Sequence, residues 1–146
     1  MKKIIPTCLI LVLTYLLPLY SAAGTMVVII NANNPITKLT KAEVKEYFLK
    51  KKTRWKTGKK VRSTDNQSND SMRNSFNEKV LVFSGVELER YWLEQQYQKA
   101  QKPPTTLSSD TEALKFVGKF KGAIGFVDQS SVKGNSNVKT VFSVNY

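Results

Sequence analysis

Met26-Val27-Val28-Ile29-Ile30, followed after a break by Leu39-Thr40-Lys41-Ala42-Glu43-Val44-Lys45-Glu46-Tyr47-Phe48-Leu49, sets the fold class. The first run is continuously apolar and rich in β-branched residues, so it reads as a buried strand. Asn31-Ala32-Asn33-Asn34-Pro35 breaks it. In the second stretch Thr40 and Glu43 have the spacing of a capping box, in which the hydroxyl takes one free amide and the carboxylate returns to the other. Leu39 and Val44 fall at the staple positions around it. Val44, Tyr47 and Phe48 recur at i, i+3, i+4 and give one apolar face. The pattern predicts a helix from about 41 to 50.

The same reading extends along the chain. Lys50 to Arg62 holds eight basic residues around Trp55 and Gly58. Val61 to Thr64 reads as a short strand, and Asp65 to Ser71 as a polar loop with Asp70 as the cap of the next helix. Met72, Phe76 and Val80 carry that helix. Ser84 and Glu87 form a second capping box, with Phe83 and Leu88 as its staple. Leu88, Tyr91, Trp92 and Gln95 continue a third helix to about Ala100, which Pro103-Pro104 closes. Ser109 and Glu112 have capping-box spacing ahead of Leu114, Phe116, Val117 and Phe120. Ala123 to Val127 and Val138 to Val144 read as strands, and Ser130 to Asn137 as a mobile Gly/Ser/Asn loop. The order β-α-β-α-α-α-β-β predicts an α/β fold, a mixed sheet of about four strands flanked by helices.

Composition narrows the chemistry. Met1-Lys2-Lys3, the apolar stretch Ile4–Leu19 and the small residues Ser21-Ala22-Ala23-Gly24 have the order of a secretory signal peptide cleaved after Ala23. The expected division is residues 1–23 as leader and 24–146 as one exported domain, periplasmic or secreted. Cys8, the only cysteine, lies in the leader, so no disulfide is expected in the domain. The chain has no histidine. This removes the usual zinc ligands, the commonest general base and any Ser-His or Cys-His pair. No carboxylate pair stands out, so the expectation is a non-enzyme without cofactor or metal. The net charge is +12, or +10 once Lys2 and Lys3 leave with the leader. Small anions, acidic polymers and anionic head groups are the partners such a charge suits. Export argues against nucleic acid.

Two segments carry a resemblance. Leu39 to Leu49, continuing through the basic turn at Trp55 to Gly58-Lys59-Lys60-Val61, and Gly122-Ala123-Ile124-Gly125-Phe126-Val127 resemble, in that order, the periplasmic phosphate-binding proteins of ABC importers. The family pattern reads roughly L-T-x-x-E-V-x-x-I-F-x-G-K-x-x-x-W, then G-A-I-G-Y-V. The resemblance runs from about Val27 to Val138 and concerns one of the family's two lobes, so it implies a single lobe of a type II periplasmic-binding-protein-like fold. Trp55 is expected to anchor packing over the sheet, and Gly122 and Gly125 to serve close backbone approach.

The resemblance also places a candidate site. The family's anion loop reads roughly R-x-D-G-S-G-T, where this chain has Ser63-Thr64-Asp65-Asn66-Gln67-Ser68-Asn69. Asp65 matches the family Asp, and the Arg position is Ser63. Arg62, one residue off in a strand, points to the opposite face. The loop is closer to that of short, single-lobe relatives, roughly D-x-x-x-x-S-x-x-R-x-x-F, where Asp65, Arg73 and Phe76 keep the spacing and Asp70 replaces the Ser. Two readings of Arg73 stand. It pairs with Asp65 or Asp70, or it joins Thr64, Ser68 and Ser71 in a weak oxyanion site. The implied function is weak binding of phosphate or another oxyanion, linked to phosphate ABC transport through a membrane partner. The alternative is an interaction module whose basic run, Lys50 to Arg62, docks on a membrane sensor, receptor or other acidic partner.

Overall fold

The computed structural model describes residues 24–146, and the expected leader with Cys8 lies outside them. Five strands form one mixed sheet in the order β3-β2-β4-β1-β5: β1 Thr25–Asn31, β2 Arg62–Asn66, β3 Thr105–Leu107, β4 Ala123–Asp128 and β5 Val138–Asn145. β2 runs parallel to β3 and β4, whereas β1 is antiparallel to both β4 and β5. The apolar run at 26–30 is the inner strand β1, with Met26, Val27, Val28, Ile29 and Ile30 all buried.

Strand alternation splits the core in two. Met26, Val28, Ile30, Ile124 and Phe126 face one layer of helices, together with Val44, Phe48, Met72, Phe76 and Val80. Val27, Ile29, Ala123 and Val127 face the other way, against Ala113 and Val117. The first layer contains α1 (Lys41–Phe48) and α2 (Asp70–Phe76), and the second contains α4 (Asp110–Lys119). α2 passes into a π-helical turn, Asn77–Leu81, which keeps Val80 and Leu81 buried. α3 (Gly85–Lys99) lies over the first layer with no fully buried residue, held by half-buried Leu88, Tyr91 and Trp92 and by the Tyr91 hydroxyl donating to Leu49 O at 2.7 Å.

The caps form at Thr40–Glu43 and Ser84–Glu87 as the spacing predicts. Two differ. Asn69, not Asp70, caps α2, its Oδ1 accepting from the Met72 amide at 3.0 Å, so Asp70 is the first helical residue. At α4, Ser109 accepts from the Glu112 amide, but the Glu112 carboxylate turns to the amide and hydroxyl of Ser108. The predicted helix end at about 50 contracts to Phe48, with Lys50 at φ 54. The stretch read as a mobile loop begins inside a 3-10 turn, Gln129–Val132. β3, absent from the sequence reading, is a three-residue edge strand made by pairing with β2.

Trp55 and the glycines behave as read. Trp55 is buried against Tyr47, centroids 4.5 Å apart, and its Nε1 donates to Gly122 O at 3.0 Å. A Cβ on Gly122 would meet Lys60 O at 2.1 Å, and one on Gly125 would meet Thr64 Oγ1 at 2.6 Å. Bare backbone at both positions is what lets β2 lie beside β4.

Candidate functional site

The loop after β2 was expected to gather Thr64, Asp65, Ser68, Ser71 and Arg73. β2 alternation separates them first. Thr64 points to the α4 side, fully buried over Gly125, with Oγ1 donating to Ile124 O at 3.3 Å. Ser71 is exposed in the first turn of α2. Only Asp65 and Arg73 come together.

Arg73 Nη2 donates to Asp65 Oδ2 at 2.6 Å and Nε donates to Oδ1 at 3.1 Å. This fork-on-carboxylate geometry fixes the guanidinium plane. It engages two of the three guanidinium nitrogens and leaves the Nη1 donors outside the pair. The side chains retain 35% and 20% of their exposure, so the pair sits at a boundary and not in the core. Beside it opens a cavity of about 260 Å³, with Phe48, Phe76, Trp92 and Phe126 among its apolar lining and Asn74 and the Glu89 carboxylate among its polar lining. Phe76 and Phe126 stack with centroids 4.0 Å apart and 7° between planes, so the wall is rigid and apolar. The cavity therefore presents one guanidinium, two carboxylates and an aromatic wall.

Ser68 belongs to a second cluster. Its Oγ donates to Asp110 Oδ1 at 2.9 Å, and Asn66 Nδ2 donates to the same oxygen at 2.7 Å. Asp110 Oδ2 accepts from Ser131 Oγ at 2.6 Å and from the Asp128 amide at 3.1 Å. Four donors from the ends of β2 and β4 thus converge on one carboxylate in the first turn of α4, where the helix dipole favours negative charge. The donors that a loop of this composition offers an oxyanion are taken by the protein's own side chain. Asp110 falls inside the Ser109–Glu112 capping stretch, whose sequence reading gives it no role of its own. Its role depends on partners distant in sequence, and only its place in the first turn of a Ser-capped helix signalled it.

Asp128 next to this cluster accepts from the Ser130 amide and hydroxyl and from the Tyr146 hydroxyl at 2.6 Å. These bonds, Ser130 first and Tyr146 second, hold the Asp128 carboxyl below the usual carboxylate range. Donating that same bond to Asp128, together with partial burial, pushes the Tyr146 hydroxyl pKa up to about 12.

The basic run divides by structure. Arg62 lies over the Phe120 ring at 3.9 Å and the Phe116 ring at 5.2 Å, on the α4 face and away from Arg73. Lys52 pairs with Glu46 at 2.7 Å, and Arg54 donates to Gly58 O at 2.8 Å. Lys51, Lys56, Lys59 and Lys60 are exposed. Among the described residues there is no cluster of His, Cys, Asp and Glu able to hold a metal, and no helix is long and apolar enough to cross a membrane.

No protein-family model matches the sequence, and no curated protein matches it. Solved structures do. An ABC-type phosphate transport receptor from Vibrio cholerae is similar at a TM-score of 0.62 and 21% identity, over 82% of this chain and 45% of that one. A substrate-binding protein from Clostridium perfringens with bound phosphate gives 0.62 and 20%, over 82% and 44%. PstS from Borrelia burgdorferi gives 0.62 and 14%, over 82% and 47%. The chain spans less than half the length of each of these structures, and across most of its own length its fold is similar to that of phosphate ABC transporter substrate-binding proteins.

Proposed function

We propose that residues 24–146 form an exported, single-lobe solute-binding-protein-like domain that binds a small oxyanion weakly, with phosphate as the leading ligand, in connection with phosphate ABC transport. The observation that carries this reading is the Asp65–Arg73 fork at the cavity mouth, which orients a guanidinium and leaves Nη1 outside the pair. The fold likeness to phosphate-binding receptors supports the ligand class. Weak affinity follows from the surroundings. Ser68 is committed to Asp110, Thr64 to the β4 backbone, and Asp70 places a negative charge in the first turn of α2.

Inorganic phosphate titrated into the isotopically labelled protein and followed by amide NMR tests the reading site by site. Saturable shifts at Ser68 to Asn74 with a Kd of about 1 mM are expected, near −4 kcal/mol. Absence of any shift there up to roughly tens of millimolar phosphate would remove the oxyanion site.

A specific observation favours the second reading. Asp110 already satisfies four donors, and much of the basic run is exposed, as a decayed ligand loop on a kept scaffold would be. In that reading the domain docks its basic face on an acidic membrane partner such as a sensor. Charge reversal at Lys51 and Lys56 would then abolish partner capture, while Arg73→Ala would leave it intact.

A further inference from the structure

At the opposite end of β2 from the Arg73 site lies a second hollow of about 440 Å³. The C-terminal ends of α1 and α3 border it. Lys50, Lys52, Lys60, Lys99 and Lys102 line it with Thr53, Gln101 and Ser63, and no carboxylate is among the lining residues. Lys52 is paired outward with Glu46, and Lys50 Nζ donates to Lys102 O at 2.8 Å and Pro103 O at 3.3 Å. That leaves Lys60, Lys99 and Lys102 as cations without an ion pair among the described residues. Ser63 is 5% exposed, and its Oγ is the one buried side-chain polar atom without a hydrogen-bond partner among the described residues. Buried hydroxyls are ordinarily satisfied, so an orphan in a hollow ringed by lysines marks a place where an acceptor is missing. Lys50 and Ala100, at φ 54 and φ 51, hold the left-handed backbone that favours glycine, and both line the hollow. Both sit at helix C-terminal ends, where that backbone is the ordinary stop, and they fix the rim of the hollow. Burial, then the charge of Lys60, lowers the Lys50 ammonium pKa, as expected of cations crowded together without a counter-charge.

We propose that this hollow is a binding site for a phosphate or sulfate group, held by Lys60, Lys99 and Lys102 with Ser63 Oγ as a neutral donor. Such a group brings the missing acceptor oxygens and at least one compensating negative charge. Its chemistry is the same whether it arrives as a free ion or as the head-group phosphate of an anionic lipid. The site is separate from that of Arg73, and either can exist without the other.

The test uses the protein expressed from the full-length sequence, with three variants. Lys60→Gln/Lys99→Gln removes two exposed cations of the hollow. Lys51→Gln/Lys56→Gln removes the same charge from the same surface outside it. Arg73→Ala disables the other site. In one arm, inorganic sulfate and phosphate are titrated and followed by amide NMR at Lys50, Ser63 and Gln101. In the other, binding to phosphatidylglycerol vesicles is measured against phosphatidylcholine vesicles. Saturable shifts that weaken at least tenfold in the Lys60/Lys99 variant, and persist in both other variants, support the free-ion source. Binding to phosphatidylglycerol vesicles alone, with the same order among the variants, supports the lipid source. Silence in both arms, or equal loss in the two lysine variants, overturns the proposal, since equal loss would mean a diffuse positive surface.

Discussion

Arg73 and Asp110 answer opposite questions at the residue scale. Arg73 is oriented by a carboxylate and keeps donors to spare, whereas Asp110 is an anion whose donors are already in place. Replacing Arg73 with Ala breaks a half-exposed bidentate pair, so thermal or denaturant unfolding should show a loss of about 1 kcal/mol at most. Asp110→Ala removes the single acceptor shared by Asn66, Ser68, Ser131 and the Asp128 amide. Leaving such donors without a partner costs about 1–3 kcal/mol. The emptied cluster is then itself a small anion site. Phosphate or sulfate should restore part of the lost melting temperature in Asp110→Ala and do much less for the wild type. An Asp110→Ala protein as stable as wild type, with no anion rescue, would show the cluster to be incidental.

Two predictions belong to the elements. Trp55 joins the basic turn to β4 by burial and by one hydrogen bond to Gly122 O. Gly122 O also accepts from the Arg62 amide at 2.9 Å, so it keeps a partner when the indole is lost. Trp55→Phe should therefore cost mainly packing, and Trp55→Ala about 3–5 kcal/mol by chemical denaturation. Gly122→Ala should be worse than its single methyl suggests, because a Cβ there meets backbone at 2.1 Å and β2 cannot yield without leaving β4. A Gly122→Ala protein melting within a few degrees of wild type would mean that this strand pair bends.

Legibility in the sequence follows the range of the interactions. β1, α1 and α3 were readable because their signals are local: an unbroken apolar run, two capping boxes and helical spacing. Asn69 displaced Asp70 as the α2 cap because adjacent Asn and Asp have equal capping chemistry, and the backbone chooses between them. β3 carries no alternation in Thr105-Thr106-Leu107 and exists only through β2. The Asp65–Arg73 pair was legible as one of two options, since eight residues carry the chain from a strand into the first turn of the next helix. Asp110 was not, because its four donors come from positions 66, 68, 128 and 131. Nor was the orphan hydroxyl of Ser63, which shows only once every buried partner is placed.

For the whole molecule, the Asp65–Arg73 pair and the lysine-lined hollow lie toward opposite ends of β2, and the Tyr146–Asp128 bond ties the chain beyond β5 to the end of β4. The bonds at Asp128, from Ser130 first and Tyr146 second, make stability depend on pH in a defined sense. Asp128 titrates lower folded than unfolded, so its contribution is present above the ordinary carboxylate pKa and lost as pH falls through the folded value. Tyr146 titrates higher folded than unfolded. Its contribution is present below its ordinary value and lost as pH rises through about 12. Tyr146→Phe should lower stability at neutral pH and flatten the alkaline limb of the stability profile, which unfolding curves from acid to strongly alkaline pH would measure.

The proposed oxyanion contact at Arg73 decides between the two functional readings. Site-resolved phosphate titration of wild type and Arg73→Ala, with melting temperatures on the same samples, tests it most directly. Millimolar binding is expected at Ser68 to Asn74 in the wild type, weakened in Arg73→Ala by about 1.5–3 kcal/mol, the worth of a charged hydrogen bond, with a stability loss of about 1 kcal/mol at most. Equal binding by the two proteins at those residues, or loss of stability with binding intact, would contradict it and leave Arg73 as a structural partner of Asp65.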